Sequence, residues 1–70
     1  MKKTPNQTIL RLKSVMARTG LSRSTVYALL KEGKFPKAVR LSLRTVGWLE
    51  HEVEAWIAER INASRENAAE

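Results

Sequence analysis

The chain has 70 residues, no Cys, and a formal net charge of +6 from 13 Lys and Arg against seven Asp and Glu. A chain of this length forms at most one small domain, whose stability rests on a few large side chains. The lack of Cys excludes disulfides and thiolate metal sites and favours a reducing cytoplasm, and no apolar run approaches the roughly 18 residues of a membrane span.

Charge is distributed unevenly along the chain. Residues 1–47 carry eleven Lys and Arg and one Glu, a net charge of +10, whereas residues 48–70 carry two Arg and six Glu, a net charge of −4. This asymmetry favours one part that faces a polyanion and another that does not touch it. The simple alternative is solubility, because many small domains carry a net charge of this size.

The first predicted element is a short helix. Residues 1–8 lack periodicity and predict a flexible leader. Apolar residues then recur at helical spacing, which predicts a helix over about residues 14–19. Ser14 is its predicted N-cap, and Gly20 ends it as a C-terminal glycine.

A second helix is predicted over about residues 23–32. Ser22 is its expected N-cap, Gly33 closes it, and Pro36 prevents it from resuming. With the tight turn around Gly20, the two helices have the proportions of a helix-turn-helix. In that motif, the N-terminal residues of the second helix meet the bases in the DNA major groove.

The outward side of this second helix suits a major groove. Val26, Leu29 and Leu30 cluster on the opposite side of the helical wheel. Arg can fork onto guanine, hydroxyls can bond base edges or phosphates, and an Ala methyl allows close approach. The predicted DNA contacts on this helix are Arg23, Ser24, Thr25, Tyr27, Ala28 and Lys31. A solvated face is the alternative, since any surface helix has a polar outer side.

From residue 38 the apolar pattern changes to period two, which predicts two strands joined around residues 42–44. The residues expected on the inward face of this hairpin are Val39, Leu41, Val46 and Trp48. The residues expected to contact DNA phosphates or a flanking minor groove are Lys34, Lys37, Arg40, Ser42 and Arg44. The alternative role for these cations is to protect the strand edges from aggregation.

A third helix is predicted from a final apolar stripe, formed by Leu49, Val53, Trp56, Ile57 and Ile61. The stripe is expected to close the core, and its other side is acidic and solvated. Residues 63–70 lack a stripe and are expected to fray. The predicted domain is therefore residues 9–62, mainly α with a small β-hairpin, in the order helix, helix, hairpin, helix.

Two stretches, RLKSVMARTGLSRSTVYALLKEGKFPKAVRL and WLEHEVEAWIAERI, resemble the AlpA-type prophage regulators. The strongest signals are TGLSRSTVY, EGKFPKAVRL and EVEAWI, and the similarity covers about residues 10–61. The resemblance implies a winged, MerR-like helix-turn-helix related in fold to phage excisionases. It also implies a regulator that activates transcription of a neighbouring integrase gene, or a recombination directionality factor that bends attachment-site DNA so that the integrase excises the element.

The resemblance also implies roles for individual residues. The recognition helix would carry Arg23, Ser24, Thr25, Tyr27 and Lys31, and the wing Arg40, Ser42 and Arg44. The wing tip departs from the family pattern, because this chain has Ser42 and an exposed Leu43 where the family usually has Gly and then a polar residue or Pro. The expected partner is double-stranded DNA in the nucleoid of the cytoplasm. An integrase, or a second copy bound cooperatively through the third helix, would be a further partner.

A protein-interaction module is the competing interpretation, in which the acidic third helix docks a partner and the basic half only keeps the chain soluble. RNA binding is a further alternative, although the sequence lacks the exposed aromatic platforms typical of it. No nucleophile–base pair, metal cluster or phosphate loop can be assembled from these residues. We therefore expect neither enzymatic activity nor a cofactor.

Overall fold

The computed structural model describes residues 8–68, with side-chain environments as far as residue 66. The elements in chain order are β1 (Ile9–Leu10), α1 (Leu12–Thr19), α2 (Arg23–Lys31), β2 (Val39–Ser42), β3 (Thr45–Leu49) and α3 (Glu50–Ala68). The strands form one antiparallel sheet in the order β1-β3-β2. This is the predicted winged helix-turn-helix, with α1 and α2 as the helix pair and β2 and β3 as the wing.

The strand β1 is an element that the sequence analysis does not predict. Its residues Ile9 and Leu10 pair with Leu49 and Trp48 of β3. Beyond the strand, the N–H of Glu50 donates to the carbonyl oxygen of Thr8 over 2.8 Å. Two residues are too few to display an alternating pattern, so this strand is defined only by its partner. The predicted leader is thus tied to the sheet at its last residue, and its residues 1–7 lie outside the described residues.

Helix α1 begins two residues earlier than predicted, and the predicted cap at Ser14 is wrong. Arg11 occupies the N-cap position and makes no side-chain capping hydrogen bond. The helix ends as expected at Gly20, whose φ of 76° is left-handed and whose N–H donates to the Met16 carbonyl oxygen over 2.8 Å. Glycine adopts this conformation without steric cost, so the chain can turn sharply into α2.

The core lies where α1, α2 and α3 meet one face of the sheet. Its buried members are Leu10, Val15, Val26, Phe35, Trp48 and Val53. Trp56 and Ile57 pack against this cluster from α3. Ile61, predicted to continue the same stripe, is exposed instead, because a helix of 19 residues is about 28 Å long and outruns so small a core.

The C-terminal part of α3 differs from the expectation that it would fray. The helix continues to Ala68, so residues 63–68 are helical. The division of the chain into leader, domain and tail stays a prediction. No helix among the described residues is both long and apolar enough to cross a membrane.

Candidate nucleic-acid interface

The N-terminus of α2 is capped by Ser22, as predicted. The hydroxyl of Ser22 accepts the backbone N–H of Thr25 over 3.2 Å, and the two hydroxyls lie 2.9 Å apart. This bond satisfies one of the N–H groups that a helix start leaves without partners. Ser22 therefore supports the helix, and the Thr25 hydroxyl is held beside the cap. The remaining free N–H groups of the first turn, with the helix dipole, favour an anion at this end.

The outer face of α2 has the exposure that the sequence predicts. All six of its predicted contact residues are exposed: Arg23, Ser24, Thr25, Tyr27, Ala28 and Lys31. On the opposite side, Val26 is completely buried, and Leu29 and Leu30 pack against the core. Tyr27 is 49% exposed, so its ring is free to meet a ligand. One polar side of the helix is thus presented to solvent, and its contact with DNA stays a prediction.

The C-terminus of α2 closes in a Schellman motif. Gly33 has a φ of 73°, and its N–H donates to the Leu30 carbonyl oxygen over 3.1 Å. The N–H of Lys34 donates to the Leu29 carbonyl oxygen over 2.8 Å. These two bonds satisfy the carbonyls of Leu29 and Leu30 near the helix end and direct the chain out of α2.

The loop between α2 and the wing, residues 32–38, is held by three aromatic side chains, and we call it the aromatic loop. The Nε1–H of Trp56 donates to the Lys34 carbonyl oxygen over 2.7 Å, and the Nε1–H of Trp48 donates to that of Pro36 over 3.0 Å. Phe35 lies between the indoles, with ring centroids 4.8 Å from Trp56 and 6.5 Å from Trp48, both edge-to-face. This arrangement fixes the position of the wing relative to α2.

Phe35 is the positioning residue that the sequence analysis missed. It is only 5% exposed and belongs to the core although it lies in a loop. No period can reveal a single buried residue in an irregular segment. The available signal was the residue type, because Phe is usually buried and this one lies between the turn residues Gly33 and Pro36.

The wing has a register that corrects the predicted inward face. Val39 pairs with Gly47 and Arg40 with Val46, and residues paired directly across strands share a face. Val39 therefore lies on the face opposite Val46 and Trp48. A common inward face of Val39, Leu41, Val46 and Trp48 is wrong. The observed pairing differs by one residue from the pairing that a common inward face requires. An irregularity between Arg40 and Ser42 then shifts the register again.

The polar residues predicted for the loop and the wing are all exposed: Lys34, Lys37, Arg40, Ser42 and Arg44. Arg40 Nη1 donates to the carbonyl oxygen of Leu43 over 3.0 Å, so this guanidinium also braces the turn. Lys34 lies 3.7 Å from a carboxylate oxygen of Glu32, and both side chains are more than half exposed. An exposed pair at this distance contributes little stability, so Lys34 remains available to another anion.

An ion-pair cluster joins α1 to the start of α3. Arg18 donates from Nη2 to a carboxylate oxygen of Glu50 over 2.7 Å and from Nη1 to Glu54. The hydrogen bond to Glu50, with a smaller contribution from Glu54, raises the pKa of Arg18. This cluster is not apparent from the sequence, because the partners are more than 30 residues apart. It withdraws one cation of the basic half from any ligand.

An open groove of about 820 Å³ lies where residues 33–37 of the loop pack beside α3. The loop supplies Lys34 and Lys37, and the helix supplies Glu52, Glu59 and Arg60. Both signs of charge line it, so it lacks the single-sign field that attracts a polyanion. The cationic face of α2 and the wing are the better candidates for nucleic acid.

Comparison with known proteins gives concordant results. The family model described as "Prophage CP4-57 regulatory protein (AlpA)" matches residues 8–61. The chain is 52% identical over 52 residues to "Uncharacterized protein ORF88" of Enterobacteria phage P4, a match covering 74% of this chain and 59% of that protein. It is 38% identical over 58 residues to "DNA-binding transcriptional activator AlpA" of Escherichia coli (strain K12), covering 74% of this chain and 83% of the relative.

Proposed function

The chain belongs to the AlpA family of prophage regulatory proteins, and from that premise we propose that it is a sequence-specific DNA-binding regulator of a prophage or integrative element. The observation that carries the proposal is the outer face of α2, a capped helix whose exposed side presents Arg23 and Lys31 around small and hydroxyl-bearing residues. The E. coli relative, by its name, is a DNA-binding transcriptional activator.

Helix α2 is proposed to enter the major groove. Arg23 would read guanine or hold a phosphate, and the hydroxyls of Ser24 and Thr25 would bond base edges or the backbone. Ala28 allows the helix to approach closely, while Tyr27 and Lys31 flank it and meet the sugar-phosphate backbone. The free N–H groups of the first turn favour a phosphate at the same end.

The wing and the loop before it are proposed to hold the adjacent backbone or minor groove. The cations of this segment are Lys34, Lys37, Arg40 and Arg44, and Ser42 adds a hydroxyl near the tip. The aromatic loop keeps them at a fixed place relative to α2, so both elements can meet one duplex without a change in the fold. If four to six phosphates are neutralised, the logarithm of affinity should fall with that of salt concentration with a slope of about −4 to −5.

The test is a footprint on the DNA of the host element with three proteins: the wild type, Arg23→Ala, and Arg65→Ala. Arg65 is a matched control because it carries the same charge at an exposed position in the last turn of α3. We expect Arg23→Ala to lose about 10- to 100-fold in affinity, the effect of one bidentate contact to a base. Arg65→Ala should stay within about twofold, since salt screens a charge outside the interface. No wild-type footprint at low salt would refute DNA binding.

The position of the footprint assigns the role on DNA. Protected sites at promoters support transcriptional regulation, and sites clustered in an attachment region support a recombination directionality factor. Contact with an integrase and cooperative binding of a second copy are further predictions, and regularly spaced sites would support the latter. The proposed location is the nucleoid of the cytoplasm, where such DNA lies.

A protein-interaction module remains the alternative, and the groove beside α3 favours it, because Glu52, Glu59 and the half-buried Trp56 line a concave surface. The double variant Arg23→Ala/Arg44→Ala separates the two functions. DNA binding should collapse in this variant, whereas a partner held by the acidic face of α3 should bind as before.

A further inference from the structure

The wing tip carries an apolar side chain that the proposed contacts leave unexplained. Leu43 is 88% exposed, the highest exposure of any large hydrophobic residue in the described part of the chain. Single exposed leucines are ordinary on protein surfaces. Leu43, however, is not isolated, because Val39, Leu41 and Val46 behind it in the same hairpin are also at least one-third exposed. The wing therefore carries uncovered apolar side chains on both faces, and exposed Arg40, Ser42 and Arg44 lie among them.

The turn does not require a leucine at this position. Tight hairpin turns favour Gly, Asn or Asp, often with positive φ. The only positive φ values among the described residues are those of Gly20 and Gly33, so Leu43 and Arg44 turn the chain with ordinary backbone angles. The hydrogen bond from Arg40 to the Leu43 carbonyl oxygen holds the backbone of the turn. The leucine side chain thus projects from a braced turn without contributing to it.

Cations surround this apolar tip. Arg44 follows Leu43 directly, and Arg40 lies three residues before it; both are exposed. Such a tip suits DNA, because cations hold the phosphates on either side of a minor groove while an apolar side chain inserts between base pairs. Residues 33–49 carry four cations and no acidic residue, and a segment of one charge sign favours a polyanion over a protein surface of mixed charge.

We propose that Leu43 is a wedge that enters the DNA minor groove beside the site of α2 and partly unstacks one base step. Unstacking by an apolar side chain kinks the duplex toward the major groove. This inference rests on the proposed DNA-binding function and adds to it a mode of contact and a deformation of the DNA. Arg40 and Arg44 supply the attraction to the phosphates, and Leu43 supplies the insertion.

The experiment uses the full chain on a duplex that contains the footprinted site, with donor and acceptor dyes at its ends and 2-aminopurine placed at successive steps under the wing. Wild-type protein should shorten the end-to-end distance and raise 2-aminopurine fluorescence at one step. Leu43→Ala and the similarly sized polar Leu43→Gln should lose both signals and bind about tenfold more weakly, because the inserted apolar surface is gone. Ile61→Ala, at the exposed apolar position on α3, is the matched control and should behave as wild type.

The outcomes separate this inference from the function on which it rests. If the wild type binds and the Leu43 variants give the same distance change and fluorescence, the wedge is overturned and DNA binding stands. If the wild type leaves no footprint at low salt, the proposed function fails and the wedge fails with it. Thermal unfolding of each variant verifies that it is folded, and the exposure of Leu43 predicts no loss of stability.

Discussion

Gly47 of β3 lies in close contact with β1 and provides the sharpest test of how the wing is anchored. A Cβ at this position would overlap Cγ2 of Ile9 and lie 3.1 Å from the carbonyl oxygen of Leu10. Ile9 cannot easily turn away because branching stiffens its χ1 angle, and Leu10 presents backbone. Gly47→Ala should therefore lower the free energy of unfolding by about 1–3 kcal/mol, the range for overpacked interiors. A chain of this size has a total of roughly 4–10 kcal/mol.

Urea unfolding, followed by the fluorescence of the two Trp residues, measures this loss. Ile9→Ala removes the atom that clashes, so Gly47→Ala should cost at least about 1 kcal/mol less in that background. Gly20→Ala is the control: its φ of 76° is strained for alanine but its Cβ would meet nothing within 4 Å, so a cost of about 1–2 kcal/mol should be unaffected by Ile9→Ala. A cost for Gly47→Ala that Ile9→Ala leaves unchanged would refute the packing of β1 over Gly47.

Three further predictions concern the elements that position the interface. Ser22→Ala removes the acceptor for the Thr25 N–H and should lower the free energy of unfolding by about 1 kcal/mol, seen as a lower midpoint in thermal melts followed by circular dichroism. Phe35→Ala should cost about 3–5 kcal/mol and abolish the near-ultraviolet signal of the packed indoles; a smaller loss than that of Ser22→Ala would contradict its role in the core. Arg18→Met breaks the ion pairs between α1 and α3, so its urea midpoint should fall further below wild type at low salt than at about 0.5 M salt, and equal losses would show that the pairs contribute nothing.

The helix pair was predictable because its signals are local. Ser22 caps α2 through a bond that spans three residues, and Gly20 and Gly33 end their helices within one turn. The exposed side of α2 follows directly from its helical period. The error at Ser14 has the same origin, since a hydroxyl near a helix start is a signal only if the helix begins just after it, and α1 begins at Leu12 instead.

The parts that sequence reasoning missed depend on contacts between distant residues. The wing shows alternation on each strand, but only the pairing of Val39 with Gly47 decides which faces coincide. Arg18 finds its carboxylates after more than 30 intervening residues. Of the candidate site, the exposure of the polar residues was predictable and is confirmed, as is that of Leu43 at the wing tip. Their contact with DNA is a property of a complex and stays a prediction.

The opposite charges of the two halves have a structural counterpart in the aromatic loop. Both indoles lie in the acidic part of the chain, residues 48–70, which DNA would repel. They donate to the carbonyls of Lys34 and Pro36, in the basic part that is proposed to touch DNA. Because the bonds go to backbone, the Lys34 side chain stays exposed and free for a phosphate while its main chain is held. A recognition helix and a wing contact one duplex together most effectively when the segment between them is held in place. On the proposed function, Trp48 of β3 and Trp56 of α3 would support DNA recognition without touching DNA, because they hold the segment between the two elements that would touch it.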